Sequence, residues 1–167
     1  ECDELIEKTE NVGYGNSPAM HSGNYRKNQR MTVNHKALAN ELFMRIQDAC
    51  LEEVWHPNKH VVWRLKGVNH RFRFCKYDEG GFTAEHTDDC FQQTPTIRSF
   101  FTCMLYLNET NGGGTNFIKR CHRKDSEKDN ISVEKSVKPQ TGKILLFSHN
   151  LRHEDAKLLS GHKYVMH

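Results

Sequence analysis

The sequence predicts a mainly β protein of the α+β class, in which amino-terminal helices support an antiparallel sandwich or barrel. Two observations indicate this class. An apolar stripe at helical spacing lies in the first third of the chain, and from Val68 onward short β-prone segments alternate with glycines and other turn residues. Many short strands in close succession are typical of sandwiches and barrels. The 167 residues suit one domain, which we expect to consist of a helical support region at 1–67 and a β core at 68–167.

Two helices are expected in the support region. The opening segment ECDELIEKTE is predicted to form the first helix, which ends near Gly13 and Gly15. The second runs from about Lys36 to Cys50, and Asn34 stands where it can cap the amino terminus. The apolar side chains of this second helix recur at helical spacing and form one stripe, which consists of Leu38, Leu42, Ile46 and Ala49.

Two polar segments are predicted to be loops. Residues 13–30 (GYGNSPAMHSGNYRKNQR) are rich in turn formers, which is typical of a loop that crosses the surface; the alternative is that they form part of a substrate lid. Residues 119–129 (KRCHRKDSEKD) carry charges of both signs. Mixed charges create little net field for a charged ligand, so this second segment is predicted to be a solvated loop.

Seven strands are expected in the β core. Each is a short run of β-branched, aromatic or alternating residues, and glycine or proline separates most of the runs. The predicted strands are 71–77, 82–87, 99–108, 115–118, 132–137, 143–148 and 158–166.

The composition and the charge of the chain argue against several classes of function. A net charge of +3, with basic and acidic residues interspersed, gives no surface on which a nucleic-acid partner would be expected. No apolar run approaches the roughly 20 residues that span a bilayer, so no membrane segment is expected. The six cysteines form no C-x-x-C pair and are predicted to be free thiols, which is typical of a reducing compartment. We therefore expect an intracellular, cytoplasmic location.

The segment His86-Thr87-Asp88 has the spacing of two metal ligands. Side chains at positions i and i+2 of a strand point to the same face, so an imidazole and a carboxylate would reach the same point. A third ligand is needed, and His153 is the best candidate, because it follows the apolar strand KILLFS. Two histidines and one carboxylate form the facial triad of non-haem Fe(II) oxygenases. With 11 histidines in the chain, the alternative is a chance H-x-D in which both side chains bond only their neighbours.

Lys163 lies inside the apolar segment LLSGHKYVM, ten positions after His153. A lysine in the interior of a strand is costly unless its ammonium meets an anion. A dicarboxylate co-substrate would supply one, because one end can chelate iron while the other pairs with the cation. Tyr106 could donate its hydroxyl to the same carboxylate. The alternative is that Lys163 extends to solvent from an edge strand.

An ordered set of motifs resembles the prolyl 4-hydroxylase-like branch of the Fe(II)/2-oxoglutarate dioxygenases. The resemblance is strongest between about Asn69 and Met166, and the opening helix resembles that of the family more weakly. The motifs, in chain order, are Y-x-x-G-G-x-x-x-x-H-x-D from Tyr77, Y-L-N from Tyr106, G-G-x-T-x-F ending at Phe117, V-x-P-x-x-G from Val137, L-x-F ending at Phe147, His153 and G-x-K-Y-V from Gly161.

The resemblance implies a double-stranded β-helix (jelly-roll) core with supporting amino-terminal helices, and it implies the cofactors Fe(II) and 2-oxoglutarate, with ascorbate as a supporting reductant. Lys163 would pair with the far carboxylate of 2-oxoglutarate. A lysine in this position also speaks against the branch that dealkylates nucleic acids. The other residues that the resemblance assigns are the iron ligands His86, Asp88 and His153, and the co-substrate contacts Tyr106, Tyr77 and Thr115.

Two positions depart from the family pattern. Gly114 stands where the family often has glutamate, and Asp155 replaces the glycine of the usual H-x-G at the distal histidine. The implied reaction hydroxylates a C–H bond with O₂, and the branch suggests a prolyl residue in a peptide or protein. The alternatives are an oxygenase that acts on a small molecule, a zinc hydrolase built on the same ligands, and an inactive binding module on the same fold.

Overall fold

The computed structural model describes residues 1–16, 25–56, 60–121 and 130–167. Parts of the two predicted loops, 17–24 and 122–129, lie outside the described residues. In chain order the elements are α1 (Cys2–Val12), β1 (Gly15–Asn16), β2 (Arg26–Lys27), β3 (Gln29–Asn34), α2 (Lys36–Ile46) with a 3-10 turn (Gln47–Ala49), β4 (Glu53–His56), β5 (Val61–Arg64), β6 (Arg71–Tyr77), β7 (Phe82–His86), β8 (Gln92–Thr94), β9 (Ile97–Arg98), β10 (Phe101–Tyr106), β11 (Asn111–Gly112), β12 (Thr115–Cys121), β13 (Asn130–Val137), β14 (Ile144–Ser148), β15 (His153–Asp155), β16 (Leu158–Ser160) and β17 (Lys163–Met166).

Two antiparallel sheets form the jelly roll. One has the strand order β1-β3-β6-β17-β10-β14 and the other β13-β12-β15-β7-β2, so strands that are distant in the chain lie side by side. Strand β14 buries alternate residues, as period-2 side-chain geometry requires when one face meets the core. The predicted fold class, a mainly β jelly roll, is confirmed, and the described residues include two α-helices.

The core lies between the two sheets. Phe147 of one sheet and Phe117 of the other meet edge to face, with ring centroids 5.2 Å apart. Phe147 belongs to a buried hydrophobic cluster, against which Phe117 packs, and the members of the cluster are Cys75, Tyr77, Met104, Tyr106, Leu145, Phe147, Leu158 and Val165. Two tyrosines therefore lie in the centre of the sandwich, where their hydroxyls need partners.

The chain divides into two compact units, one made of 1–31 and 73–167, the other of 32–72. The smaller unit holds α2, whose buried residues Ala39, Leu42 and Ile46 include two positions of the predicted stripe. It also contains the hairpin of β4 and β5, which the sequence did not predict. These short strands expose several of their apolar residues, so they lack the inside–outside alternation that would have indicated them.

Several predicted boundaries differ from the observed ones, and three of the differences have a clear local reason. The cap of α2 is His35, not Asn34, because the His35 Nδ1 accepts a hydrogen bond from the Leu38 N–H at 3.0 Å. The regular helix ends at Ile46, and a 3-10 turn replaces its predicted last residues. The predicted strand 158–166 is two strands, because Gly161 turns the chain with a φ of 77°. The predicted loop at 13–30 also contributes β1, β2 and the first residues of β3.

Helix α1 is held against the sheet by Glu10. Its carboxylate accepts a hydrogen bond from the Tyr164 hydroxyl at 2.7 Å and pairs with the Lys76 ammonium at 2.8 Å. The hydrogen bond from Lys76, then that from Tyr164, lowers the pKa of Glu10 below its ordinary 4.5.

We expect Glu10→Gln to lower the free energy of unfolding at pH 7 by less than about 1 kcal/mol, because the side chain is 39% exposed and the pair is screened by solvent. A carboxylate whose pKa is lower in the folded protein than in the unfolded chain stabilises the fold at pH values above the unfolded pKa. The difference between the two proteins should therefore disappear as the pH falls through the folded pKa. Urea unfolding of both proteins at pH 7 and pH 3 measures this, and an equal difference at both values would contradict it.

Candidate metal centre

His86 and His153 lie directly opposite each other on neighbouring antiparallel strands. Strand β15 pairs with β7, and in that register His153 and His86 are Cα partners. Their imidazole centroids are consequently 4.3 Å apart. Asp88 follows the end of β7, two residues after His86, and its carboxylate lies against both rings. The three side chains predicted from the sequence are therefore together in one place.

The three side chains offer donor atoms to a common point. The His86 Nε2 is 3.7 Å from one Asp88 oxygen, and the His153 Nε2 is 3.8 Å from the other. One donor atom from each residue lies within 4.8 Å of the other two. This donor set of two imidazoles and one carboxylate fits a divalent metal, and among such metals it matches the facial triad of Fe(II).

Backbone carbonyls fix the tautomer of both histidines. The His86 Nδ1 lies 2.9 Å from the Ala84 carbonyl oxygen, and the His153 Nδ1 lies 3.0 Å from that of Leu151. A carbonyl can only accept, so each Nδ1 carries the proton and each Nε2 keeps a lone pair for a metal. Burial, followed by the charge of His153, lowers the pKa of His86, which favours the neutral imidazole that a metal requires.

Asp88 is oriented by a chain of hydrogen bonds that the sequence did not predict. The Thr102 hydroxyl donates to Asp88 Oδ2 and lies 3.0 Å from the His149 Nδ1, while the His149 Nε2 is 2.8 Å from the Ser99 hydroxyl. Burial by itself would raise the pKa of Asp88, but the Thr102 hydrogen bond and the nearby imidazoles outweigh it, and the pKa is lowered. The carboxylate is thus held ionised and in one orientation.

Aromatic side chains enclose the inner histidine. The ring centroids of Phe147 and Phe117 lie 4.8 and 6.3 Å from that of His153, which is buried. His86 is more open, and the Tyr25 ring lies 6.2 Å from it. A metal held here would have an apolar wall on the core side.

The four predicted co-substrate residues also converge in the core. Lys163 and Tyr77 are Cα partners on β17 and β6, and Lys163 and Thr115 are completely buried. The Lys163 ammonium lies 4.4 Å from the Tyr77 ring centroid and 6.0 Å from that of Tyr106. The Tyr106 hydroxyl donates to the Thr115 hydroxyl at 2.7 Å. The alternative in which Lys163 extends to solvent is therefore wrong.

Asp155 is the common partner of Lys163, Tyr77 and Thr115. Its carboxylate accepts hydrogen bonds from Lys163 at 2.8 Å and from Tyr77 at 2.8 Å, with Thr115 at 3.4 Å. Lys163 donates a second hydrogen bond to the Gly113 carbonyl at 2.7 Å. The sequence marked Asp155 only as a departure from the H-x-G pattern, and nothing in the sequence identified what it would contact.

Charge pairing outweighs burial at Asp155. Burial would raise its pKa, but the charge of Lys163 and the hydrogen bonds from Lys163 and Tyr77 hold the pKa far below its ordinary value. Burial, and then the charge of Asp155, raises the pKa of Tyr77 well above the ordinary range, and burial raises that of Tyr106 to about 12. Both tyrosines are therefore neutral hydroxyls at physiological pH.

The second departure from the family pattern, Gly114, has a packing reason. A Cβ at this position would lie 2.9 Å from the Val137 carbonyl oxygen, so a glutamate would force the backbone of β13 to move. The glycine lets β12 and β13 begin their pairing at Thr115 and Val137.

A family model described as the 2OG-Fe(II) oxygenase superfamily matches residues 72–167, which is more than half of the chain. The chain belongs to the 2OG-Fe(II) oxygenase superfamily. The resemblance to the Fe(II)/2-oxoglutarate dioxygenases is confirmed, and Fe(II) and 2-oxoglutarate are the cofactors of the oxygenase. No curated protein sequence matches the chain.

Two solved structures share the fold of the oxygenase. The viral collagen prolyl hydroxylase of Paramecium Bursaria Chlorella virus-1, solved as a 2OG complex, is 17% identical with a TM-score of 0.57, over 99% of this chain and 86% of that one. A prolyl-4-hydroxylase of Pseudomonas putida is 16% identical with a TM-score of 0.58, over 98% of this chain and 80% of that one. Neither helix of the described ranges is long and apolar enough to cross a membrane.

Proposed function

We propose that the oxygenase hydroxylates a prolyl residue in a peptide or protein, with His86, Asp88 and His153 as its iron ligands. The observation that carries the proposal is the cluster of three donor atoms within 4.8 Å, on a chain of this superfamily. Bound Fe(II) and 2-oxoglutarate supply the oxidation, in which O₂ is consumed, a C–H bond gains a hydroxyl, and 2-oxoglutarate is converted to succinate and CO₂.

The contribution of the chain is to hold and orient. His86 and His153 present unprotonated Nε2 atoms because their Nδ1 protons are bound by carbonyls. Thr102 orients the carboxylate of Asp88, and Phe147 excludes water behind His153. Lys163, Tyr77, Tyr106 and Thr115 form a buried polar cluster, and we propose that the co-substrate binds the iron with its far carboxylate toward Lys163.

A prolyl substrate is supported by the two structural neighbours, both of which are prolyl hydroxylases by name. A peptide substrate would bind at the more open side of the site, where His86 is half-buried, while His153 faces the core. Loops at the rim of a rigid β scaffold are the usual place for substrate contacts. Free proline would lack the contacts that an extended backbone makes along such a rim.

The test is a panel of proline-containing peptides, free proline and unrelated small metabolites, each incubated with Fe(II), 2-oxoglutarate, ascorbate and O₂. Mass spectrometry scores the gain of one oxygen, and succinate release is measured in parallel. We expect oxygen gain in at least one peptide, far above that in free proline, and none with His153→Ala as the matched inactive protein. Oxygen gain only in a small metabolite would refute the peptide substrate and leave the oxygenase intact.

Dependence on the metal and on 2-oxoglutarate distinguishes the oxygenase from the two other classes, a zinc hydrolase and an inactive binding module. A zinc hydrolase would act without 2-oxoglutarate, and an inactive binding module would release no succinate with any substrate. The cluster of His86, Asp88 and His153 on a chain of the 2OG-Fe(II) oxygenase superfamily favours the oxygenase. An intracellular location is supported by the described cysteine side chains, since Cys2, Cys50, Cys75 and Cys90 are free thiols.

A further inference from the structure

The ammonium of Lys163 is fully engaged by the chain itself. It donates to Asp155 Oδ1 at 2.8 Å and to the Gly113 carbonyl at 2.7 Å, and it stands 4.4 Å from the centroid of the Tyr77 ring. An ammonium has three N–H donors. Two of them make hydrogen bonds and the third can face the aromatic ring, so all three are in use. A co-substrate carboxylate would have to displace one of these partners.

Asp155 offers the same kind of group, a carboxylate, as the far end of 2-oxoglutarate. It is a carboxylate, only 6% exposed, and both of its oxygens accept hydrogen bonds: Oδ1 from Lys163 and Oδ2 from the Tyr77 hydroxyl at 2.8 Å. Thr115 adds a longer contact to Oδ1 at 3.4 Å. The set of donors that would receive the far carboxylate of 2-oxoglutarate is thus already satisfied by a side chain.

The charges in this pocket balance without a ligand. One ammonium faces one carboxylate, and both side chains are buried. A second carboxylate would leave one cation between two anions in a region of low dielectric constant, where the repulsion between like charges is strong and solvent cannot screen it. Asp155 and a dicarboxylate therefore cannot both pair with Lys163 at low cost.

The position of Asp155 follows from the geometry of its strand. It stands two residues after His153 on β15, so both side chains project from the same face into the core. In the H-x-G pattern that the family often shows, this position has no side chain. The replacement of that glycine by aspartate places a carboxylate in the space that the glycine would leave open.

We propose that Asp155 is an internal competitor that occupies the Lys163 anchor and removes the selectivity of the pocket for 2-oxo acids with a distal carboxylate. This inference rests on the proposed function, because it assumes that the co-substrate approaches the iron with its far end toward Lys163. It follows that wild-type protein binds 2-oxoglutarate little better than pyruvate, a 2-oxo acid that lacks the distal carboxylate.

The test is calorimetric titration of the full chain, loaded with Mn(II) in place of Fe(II), with 2-oxoglutarate and with pyruvate. The quantity of interest is the ratio of the pyruvate Kd to the 2-oxoglutarate Kd. We expect a ratio near one for wild type, and a ratio of roughly ten to one hundred for Asp155→Gly and Asp155→Asn, because one charge-assisted contact becomes available. Metal content is measured first in each protein, since Asp155 is close to His153.

Two further variants distinguish the specific effect of Asp155 on Lys163 from the general effect of removing one negative charge. Asp78→Asn removes one negative charge that is half exposed and paired with His162, and its ratio should equal that of wild type. Lys163→Met combined with Asp155→Asn removes both partners and should also keep a ratio near one. An unchanged ratio in both Asp155 variants, with metal and both acids bound, would overturn the competitor role alone.

The wild-type protein alone tests the competitor role of Asp155, even if the Asp155 variants do not fold. A wild-type preference for 2-oxoglutarate greater than about ten-fold would show that the anchor is available, and the inference would be wrong. If metal-loaded wild type and both Asp155 variants bind neither 2-oxo acid, the proposed function fails, and the inference fails with it.

Discussion

Replacing His86 or His153 with alanine should abolish metal binding and, with it, substrate hydroxylation. The two imidazoles contribute two of the three donor atoms, which lie within 4.8 Å of one another. Loss of a partner that only orients a ligand already costs ten- to a hundred-fold in metal affinity, so loss of a ligand should cost more than about a hundred-fold. Metal analysis after dialysis, followed by the succinate assay, measures both effects.

A surface histidine provides the matched control for this prediction. His162 is 57% exposed and pairs with Asp78 at 2.9 Å, so His162→Ala should retain the wild-type metal content. Thr102→Val tests the chain of hydrogen bonds behind Asp88, and the carboxylate without its donor should bind metal about ten-fold more weakly. Undiminished metal content in both His86→Ala and His153→Ala would refute the assignment of this cluster as the metal centre.

Lys163→Met should lower the free energy of unfolding by about 3–5 kcal/mol, because removal of one partner of a buried ion pair leaves the other charge uncompensated. The charge left behind is Asp155, which loses the Lys163 ammonium and keeps the hydroxyl donors Tyr77 and Thr115. Methionine has nearly the length of lysine, so the loss would reflect charge more than volume. Urea denaturation gives the free energy of both proteins.

The double variant Lys163→Met, Asp155→Asn shows whether the loss comes from the unpaired charge. Replacement of a whole buried pair is often nearly neutral, so this protein should recover most of the stability that Lys163→Met alone loses. Lys157→Met is the control at an exposed lysine and should change the free energy by less than about 0.5 kcal/mol. A double variant as unstable as Lys163→Met would show that the lysine acts through packing.

Much of the candidate site could be predicted from the sequence, because its parts are local patterns. His86 is the last residue of β7 and Asp88 stands two residues later, and the i, i+2 rule for an extended chain already predicts that the two side chains reach the same point. Lys163 lies in an apolar strand, and the cost of burying an unpaired ammonium predicts an anionic partner whatever the fold. The alternation of short apolar runs with glycines likewise predicts the β core, which the structure confirms.

The tertiary structure alone decided which distant side chains meet. The register of β15 on β7 places His153 opposite His86, and only the stacking of the two sheets brings Thr102 and His149 behind Asp88. Such contacts depend on pairings between strands far apart in the chain, which no local pattern specifies.

Asp155 shows the same limit at the co-substrate end. The sequence predicted that Lys163 needs an anion and noted an aspartate in place of glycine, yet it did not connect the two. Their hydrogen bond of 2.8 Å exists because β15 and β17, which lie in different sheets, turn these side chains toward the same space in the core. An unpaired charge in the core is costly, so a buried ammonium pairs with the nearest carboxylate. Which carboxylate is nearest depends on how the two sheets pack, and this is a property of the tertiary structure.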